Sequence, residues 1–155
     1  MKPIKRTAEL APLSREHHDG LLLCWKIRQG LKKEITTDRI NAYLLYFFDN
    51  HLKQHFREEE DYLLPYLDSS DPVKFEILSQ HDELVGTAIM LRNRVNEPLL
   101  NQFADLLEKH IRYEERTAFP YLEQHLNTSD LSSIGLLLNK PDTPVLSKYA
   151  DEFWA

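Results

Sequence analysis

The sequence predicts an all-α fold: an up-down-up-down four-helix bundle with a C-terminal extension. Three observations lead there. The prolines stand at 3, 12, 65, 72, 98, 120, 141 and 144 and enclose long proline-free stretches. Proline inside a helix costs about 3 kcal/mol, so these positions mark helix ends or kinks. Within the stretches, apolar residues recur at helical spacing. No alternating run of β-branched residues is bounded by a hairpin turn.

The first helix is expected from Ser14, a good N-cap, to about Gly30. The second runs from Thr36 or Thr37 to about Leu64, with Leu44, Phe48 and Leu52 four apart on one face. The third has Asp71 as N-cap and Pro72 in its first turn, and runs to about Val95. Its inward stripe is read as Val73, Ile77, Leu84, Val85 and Ala88. The fourth begins at Pro98, carries Leu99, Phe103, Leu106 and Leu107 on one face, and runs to about Leu126 with a bend at Pro120. Four such helices joined by short connections form a bundle. Positions 1–13 are then an N-terminal arm, 14–126 the bundle and 127–155 a tail. The tail has a short apolar stretch at Ile134–Leu138, a loop-like stretch at Lys140–Pro144 and an aromatic end, Tyr149 to Trp154. It is read as packing on the bundle or on a second subunit.

Composition narrows the function. The chain has 155 residues, 42% apolar and 28% charged, which suits one ordinary globular domain. The net charge of −6, with Arg92 and Arg94 the nearest approach to a basic patch, argues against nucleic acid as a partner. No apolar run nears the roughly 20 residues of a membrane span, so no membrane is expected. The start, Met1 to Arg6, is not followed by an apolar stretch and reads as lacking a secretory signal. Cys24 stands alone, which excludes an internal disulfide framework and suggests a cytoplasmic address.

The seven histidines carry the main clue. The segment His55-Phe56-Arg57-x-Glu59 and the segment His110-Ile111-Arg112-x-Glu114 share one pattern, and each reaches Pro-Tyr-Leu, at Pro65 and Pro120, ten residues after its histidine. A shorter echo precedes each: His18-Asp19-Gly20-Leu21 and His81-Asp82-Glu83-Leu84. The chain thus reads as two helical hairpins of one design. His55 with Glu59, and His110 with Glu114, share a helix face. Those faces continue apolar stripes, as do the faces of His81 and, beside Leu21, Leu22 and Trp25, of His18. Burying two carboxylates is costly unless something compensates them. A pair of metal ions does so: histidine with carboxylate suits iron or zinc, and four imidazoles with two carboxylates exceed the needs of one tetrahedral zinc. The candidate ligands are His18, His55, Glu59, His81, His110 and Glu114.

The order His, His-x-x-x-Glu, His, His-x-x-x-Glu across positions 18 to 114 resembles the hemerythrin-like, or HHE cation-binding, family. The resemblance implies a four-helix bundle with a non-haem di-iron centre. One iron would take His18 and His55, the other His81 and His110, with Glu59, Glu114 and an oxo or hydroxo group bridging. Manganese or zinc are the lesser alternatives. The ligand implied is a small diatomic molecule such as O2 or NO, bound for sensing, storage or delivery.

The chain departs from the oxygen-carrying members of that family. The turn before His81 presents Ile77 where they have a fifth histidine, and the last carboxylate comes four residues after His110 where they have Asp at five. Each iron would then have about five ligands and an exchangeable position. An oxidoreductase acting on nitric oxide or peroxide, or a protein that repairs iron centres, is the alternative. A metal-free structural bundle is the third reading. His17 competes with His18, but the echo and the Leu21/Trp25 register favour His18. His51 reads as a helix residue at the core edge, and Glu58 and Glu115, about 100° off the ligand face, as solvent-facing or supporting groups. His125 reads as surface. The oligomeric state is left open, with a homo-oligomer allowed.

Overall fold

In the computed structural model, residues 6–139 and 149–155 are described. They are helical, without a strand among the described residues. The expected loop at 140–144 and the first five residues lie outside them. Helix α1 is Ala11–Lys32, α2 Thr37–Phe47, α3 Lys53–Glu58, α4 Pro72–Asn93, α5 Glu97–Tyr113, α6 Phe119–His125 and α7 Thr128–Leu138. Among the described residues, no helix is long and apolar enough to cross a membrane.

Caps explain several boundaries. Asp71 accepts from the Val73 amide at 2.8 Å and Asn96 from the Leu99 amide at 2.9 Å, so each satisfies one orphan donor of the helix it opens. Asn127 does the same for α7 through the Asp130 amide. Ser14 is not a cap. Helix α1 begins a turn earlier, with Pro12 in its first turn, and the Ser14 hydroxyl is spent on Glu115. Gly30 does not end that helix either. A Cβ there would lie 2.7 Å from the Phe153 ring, so glycine makes room for the C-terminal aromatic segment.

Segments α2 and α3 are one continuous helical stretch, as are α5 and α6, because every joining residue keeps right-handed helical backbone. The joins are π turns. The Lys53 amide bonds the Phe48 carbonyl, the Leu64 amide that of Glu59, and the Phe119 amide that of Glu114, each five residues back. A π turn inserts one residue and rotates the inward face by that much. Leu63 and Ala118 are therefore fully buried, whereas Tyr62 is half-buried and Thr117 exposed. The second stretch ends in the 3-10 turn Leu64–Tyr66.

Helix α1 packs on α5 and α2, and α4 packs on α5 and α2. The approach of α1 to α5 is close: a Cβ on Gly20 would come within 2.8 Å of Ile111. The apolar core forms two clusters. One holds Leu23, Ile27, Leu52, Phe56, Leu84, Phe103, Leu107 and Ile111; the other holds Leu13, Leu63, Ile77, Ala118, Phe119, Ile134 and Leu138. Along α1 and α4 the second cluster precedes the first; along 37–66 and 97–125 the first precedes the second. On all four, the histidines expected to be functional, or a neighbour, fall at the border. Phe153 joins the first cluster, while α7 buries Ile134 and Leu138 in the second, so the described tail packs on the chain itself.

Candidate metal centre

Helix α1 presents His17, not His18. The buried residues of α1 include Leu13, His17, Gly20, Cys24 and Ile27, a 4-3-4-3 spacing that matches Ile77, His81, Leu84, Ala88 and Leu91 of α4 position for position. His18 is exposed, as are its register partners Leu22 and Trp25, at 42% and 50%. The expectation for His18 is therefore corrected. Val85 likewise leaves the inward stripe of α4, being 37% exposed. The second and fourth helical stretches repeat as read: Phe48, Leu52, His55, Glu59 and Leu63 correspond to Phe103, Leu107, His110, Glu114 and Ala118.

The structure brings His17, His55, His81, His110, Glu59 and Glu114 together. All six are at most 3% exposed and both carboxylates are at 0%. Their ligand atoms form two groups, each within 4.8 Å: His17 and His55 with both glutamates, and His81 and His110 with both glutamates. Glu59 and Glu114 are shared. His17 Nε2 lies 2.8 Å from Glu114 Oε1, His55 Nε2 3.2 Å from Glu59 Oε2, His81 Nε2 2.9 Å from Glu59 Oε1 and His110 Nε2 3.2 Å from Glu114 Oε1.

All four Nε2 atoms face the shared carboxylates, and all four Nδ1 atoms face outward to an acceptor. Nδ1 of His17 donates to Glu115 at 2.7 Å, that of His55 to Glu16 at 3.1 Å, that of His81 to Glu60 at 2.7 Å and that of His110 to the Gln80 carbonyl oxygen at 2.7 Å. Ionised carboxylates and an amide oxygen only accept, so Nδ1 carries the proton. That leaves each Nε2 lone pair for the interior. Imidazoles that ligate metals are held in this way. Phe119 stacks on His17 and Phe56 on His81, with ring centroids 5.2 and 4.2 Å apart, which fixes ring orientation further.

Protons are the alternative occupants of those lone pairs. Burial disfavours a charged His55, yet the Glu59 charge 3.2 Å away and the hydrogen bond to Glu16 raise its pKa to about 10. Burial opposed by bonds to Glu59 and Glu60 raises His81 to about 9. His17 is raised well above the usual imidazole range, its bonds to Glu114 and Glu115 outweighing burial. Burial would raise the Glu59 carboxyl, but the His55 charge and neighbouring donors hold it well below the usual carboxylate range. Hydrogen bonding still does not complete the centre. Nε2 of His55 and of His110, and Oε2 of Glu59 and of Glu114, are buried with no hydrogen-bond partner. Four buried orphans within a convergent set of four imidazoles and two carboxylates fit metal cations, which accept lone pairs from oxygen and nitrogen donors alike.

The outer acceptors Glu16, Glu60 and Gln80 were missed in the sequence, because each comes from a different turn or helix from the imidazole it supports. Glu115 is such a supporting group: it accepts from His17 and from the Ser14 hydroxyl, and the Arg6 guanidinium lies 3.9 Å away. Arg6 in turn stands over the Phe119 ring. Glu58 is buried. His51 is half-buried beside the Phe47 ring, with a buried Nε2 that lacks a hydrogen-bond partner, and burial lowers its pKa. His125 is exposed. Ile77, in the turn before His81, is fully buried and apolar.

No protein-family model, no curated protein and no solved structure matches this chain.

Proposed function

We propose that this chain is a non-haem di-iron protein of hemerythrin-like type, built as an up-down-up-down four-helix bundle. The alternating order of the two apolar clusters along α1, 37–66, α4 and 97–125 supports antiparallel neighbours. The observation that carries the metal reading is the orientation of the four imidazoles: Nε2 toward two shared carboxylates, Nδ1 bonded outward. His17 and His55 would hold one ion, His81 and His110 the other, and Glu59 and Glu114 both. Iron held there would supply reversible one-electron chemistry toward a small ligand such as O2.

The protein's part is to hold the donors and exclude bulk water. The apolar clusters on both sides bury the centre, and Ile77, in the turn before His81, is apolar and offers no further donor. Reversible binding of O2 or a related molecule for sensing, storage or delivery is the function this supports best. The same missing donor favours a second reading, turnover of nitric oxide or peroxide.

Metal analysis of protein purified without chelators tests the first step, with two iron ions per chain expected. A chain that carries no transition metal and takes up none on titration removes the proposal. Anaerobic reduction followed by air should then give a reversible visible band. Irreversible oxidation, with nitric oxide or peroxide consumed faster than by free iron, selects the second reading.

A further inference from the structure

The outer acceptors are not alike, and the difference falls between the two halves of the centre. In the pair His17 and His55, both imidazoles donate Nδ1–H to carboxylates, Glu115 and Glu16, whose side chains are 26% and 29% exposed. In the pair His81 and His110, one imidazole donates to Glu60, whose side chain is 41% exposed. The other donates to a neutral amide, Gln80, which passes the contact on to Glu76 at 2.9 Å. A carboxylate on Nδ1 pushes electron density into the ring and makes Nε2 a stronger donor, and outer partners of this kind change metal affinity about 10–100-fold. A more exposed carboxylate is screened and acts more weakly.

We propose that the two metal positions are inequivalent: the position held by His17 and His55 binds its cation more tightly and fills first, and Gln80 is the residue that weakens the other. This rests on the metal-binding reading above. Arg6 beside Glu115 draws off part of that carboxylate's charge. Among the described residues Glu16 pairs with His55 and with no lysine or arginine, which makes it the cleaner probe.

The test is titration of the metal-free protein with Zn2+ alone. Two successive steps do not decide it, because two cations sharing Glu59 and Glu114 repel each other even in a symmetric centre. Variants decide it. Glu16→Gln should weaken the first step about 10–100-fold and Glu60→Gln the second. Exchanging roles at the amide, Glu76→Gln together with Gln80→Glu, should tighten the second step by a similar factor and draw the two steps together. With one equivalent of Zn2+, anomalous scattering should place the ion beside His17 and His55.

The inference is overturned if Glu16→Gln acts on the second step or on neither, if the exchange leaves the second step where it was, or if the first ion lies beside His81 and His110. Circular dichroism establishes folding. Should Glu16→Gln fail to fold, the exchange variant decides alone, since it replaces one hydrogen-bonded pair by another of the same size. Uptake of no Zn2+ by the unmodified protein refutes the metal reading itself. Uptake of two ions in the wrong order leaves the metal reading standing and refutes this assignment of the tighter position.

Discussion

At the scale of single residues, one step of helical register separates a member of the buried cluster from a surface group. His17 and His18 are neighbours about 100° apart around α1. Two apolar stripes run down that helix. The stripe through His18 carries Leu22 and Trp25, which are large and exposed; the stripe through His17 carries Gly20 and Cys24, which are small and buried. Size misleads here, because Gly20 and Cys24 are small where α1 closes on Ile111 and Ala104 of α5. His17→Ala should reduce metal content from two ions per chain toward one, whereas His18→Ala should leave it at two, as read by elemental analysis of the purified variants. Cys24 makes a separate test of this register. Burial pushes its thiol up to about 12, and the thiol donates to the Ala104 carbonyl at 3.3 Å. Since the thiolate is the nucleophile, alkylation by iodoacetamide at pH 8 should be far slower in the folded protein than in urea, followed by mass spectrometry.

At the scale of elements, the two shared glutamates occupy equivalent places. Glu59 and Glu114 each open a π turn, and Pro65 and Pro120 follow each by six residues. Proline has no amide hydrogen to give and crowds the carbonyl four residues back, which a widened turn relieves. The repeat of His-x-x-x-Glu and Pro-Tyr-Leu was legible because each copy is one short continuous run of sequence. The widened turns were not, because a π turn has no composition of its own; only the proline hinted at a bend. The outer acceptors were not legible either. Glu16 reaches His55, and Gln80 reaches His110, across helix interfaces that no spacing along the chain encodes. Capping was read correctly at Asp71, where the cue is local, and missed at α1, where Ser14 bonds a distant carboxylate. Asp71 also accepts from the Tyr121 hydroxyl at 2.7 Å, tying the start of α4 to α6. Asp71→Ala should therefore cost about 1–3 kcal/mol, cap and tie together, in urea denaturation, with metal content unchanged.

At the scale of the whole molecule, the proposed ions would compete with protons for one set of lone pairs, so stability should depend on pH differently with and without metal. In the metal-free protein, His81 and His55 titrate at about 9 and about 10 when folded. Unfolded imidazoles titrate near 6.5. A group whose pKa is raised by folding contributes its stability fully below the unfolded value and loses it as pH climbs through the folded one. The denaturation midpoint of the metal-free protein should thus fall steadily between about pH 6.5 and 10. Glu59 works in the other direction. Its folded pKa is depressed, so its contribution is present above the unfolded carboxylate value and is lost on acidification. With metal bound, the imidazoles are neutral ligands in the folded state and are already neutral in the unfolded chain above pH 7. The midpoint should then be level through pH 7–10, and fall below about pH 6 as protons displace the ions. Removing metal at pH 7 should lower the midpoint as well, since a ligand present at 100 times its Kd stabilises the native state by about 2.7 kcal/mol. Urea denaturation of both forms across pH 5–10 checks this. Parallel pH profiles for the two forms would mean that these buried donors do not exchange protons for metal.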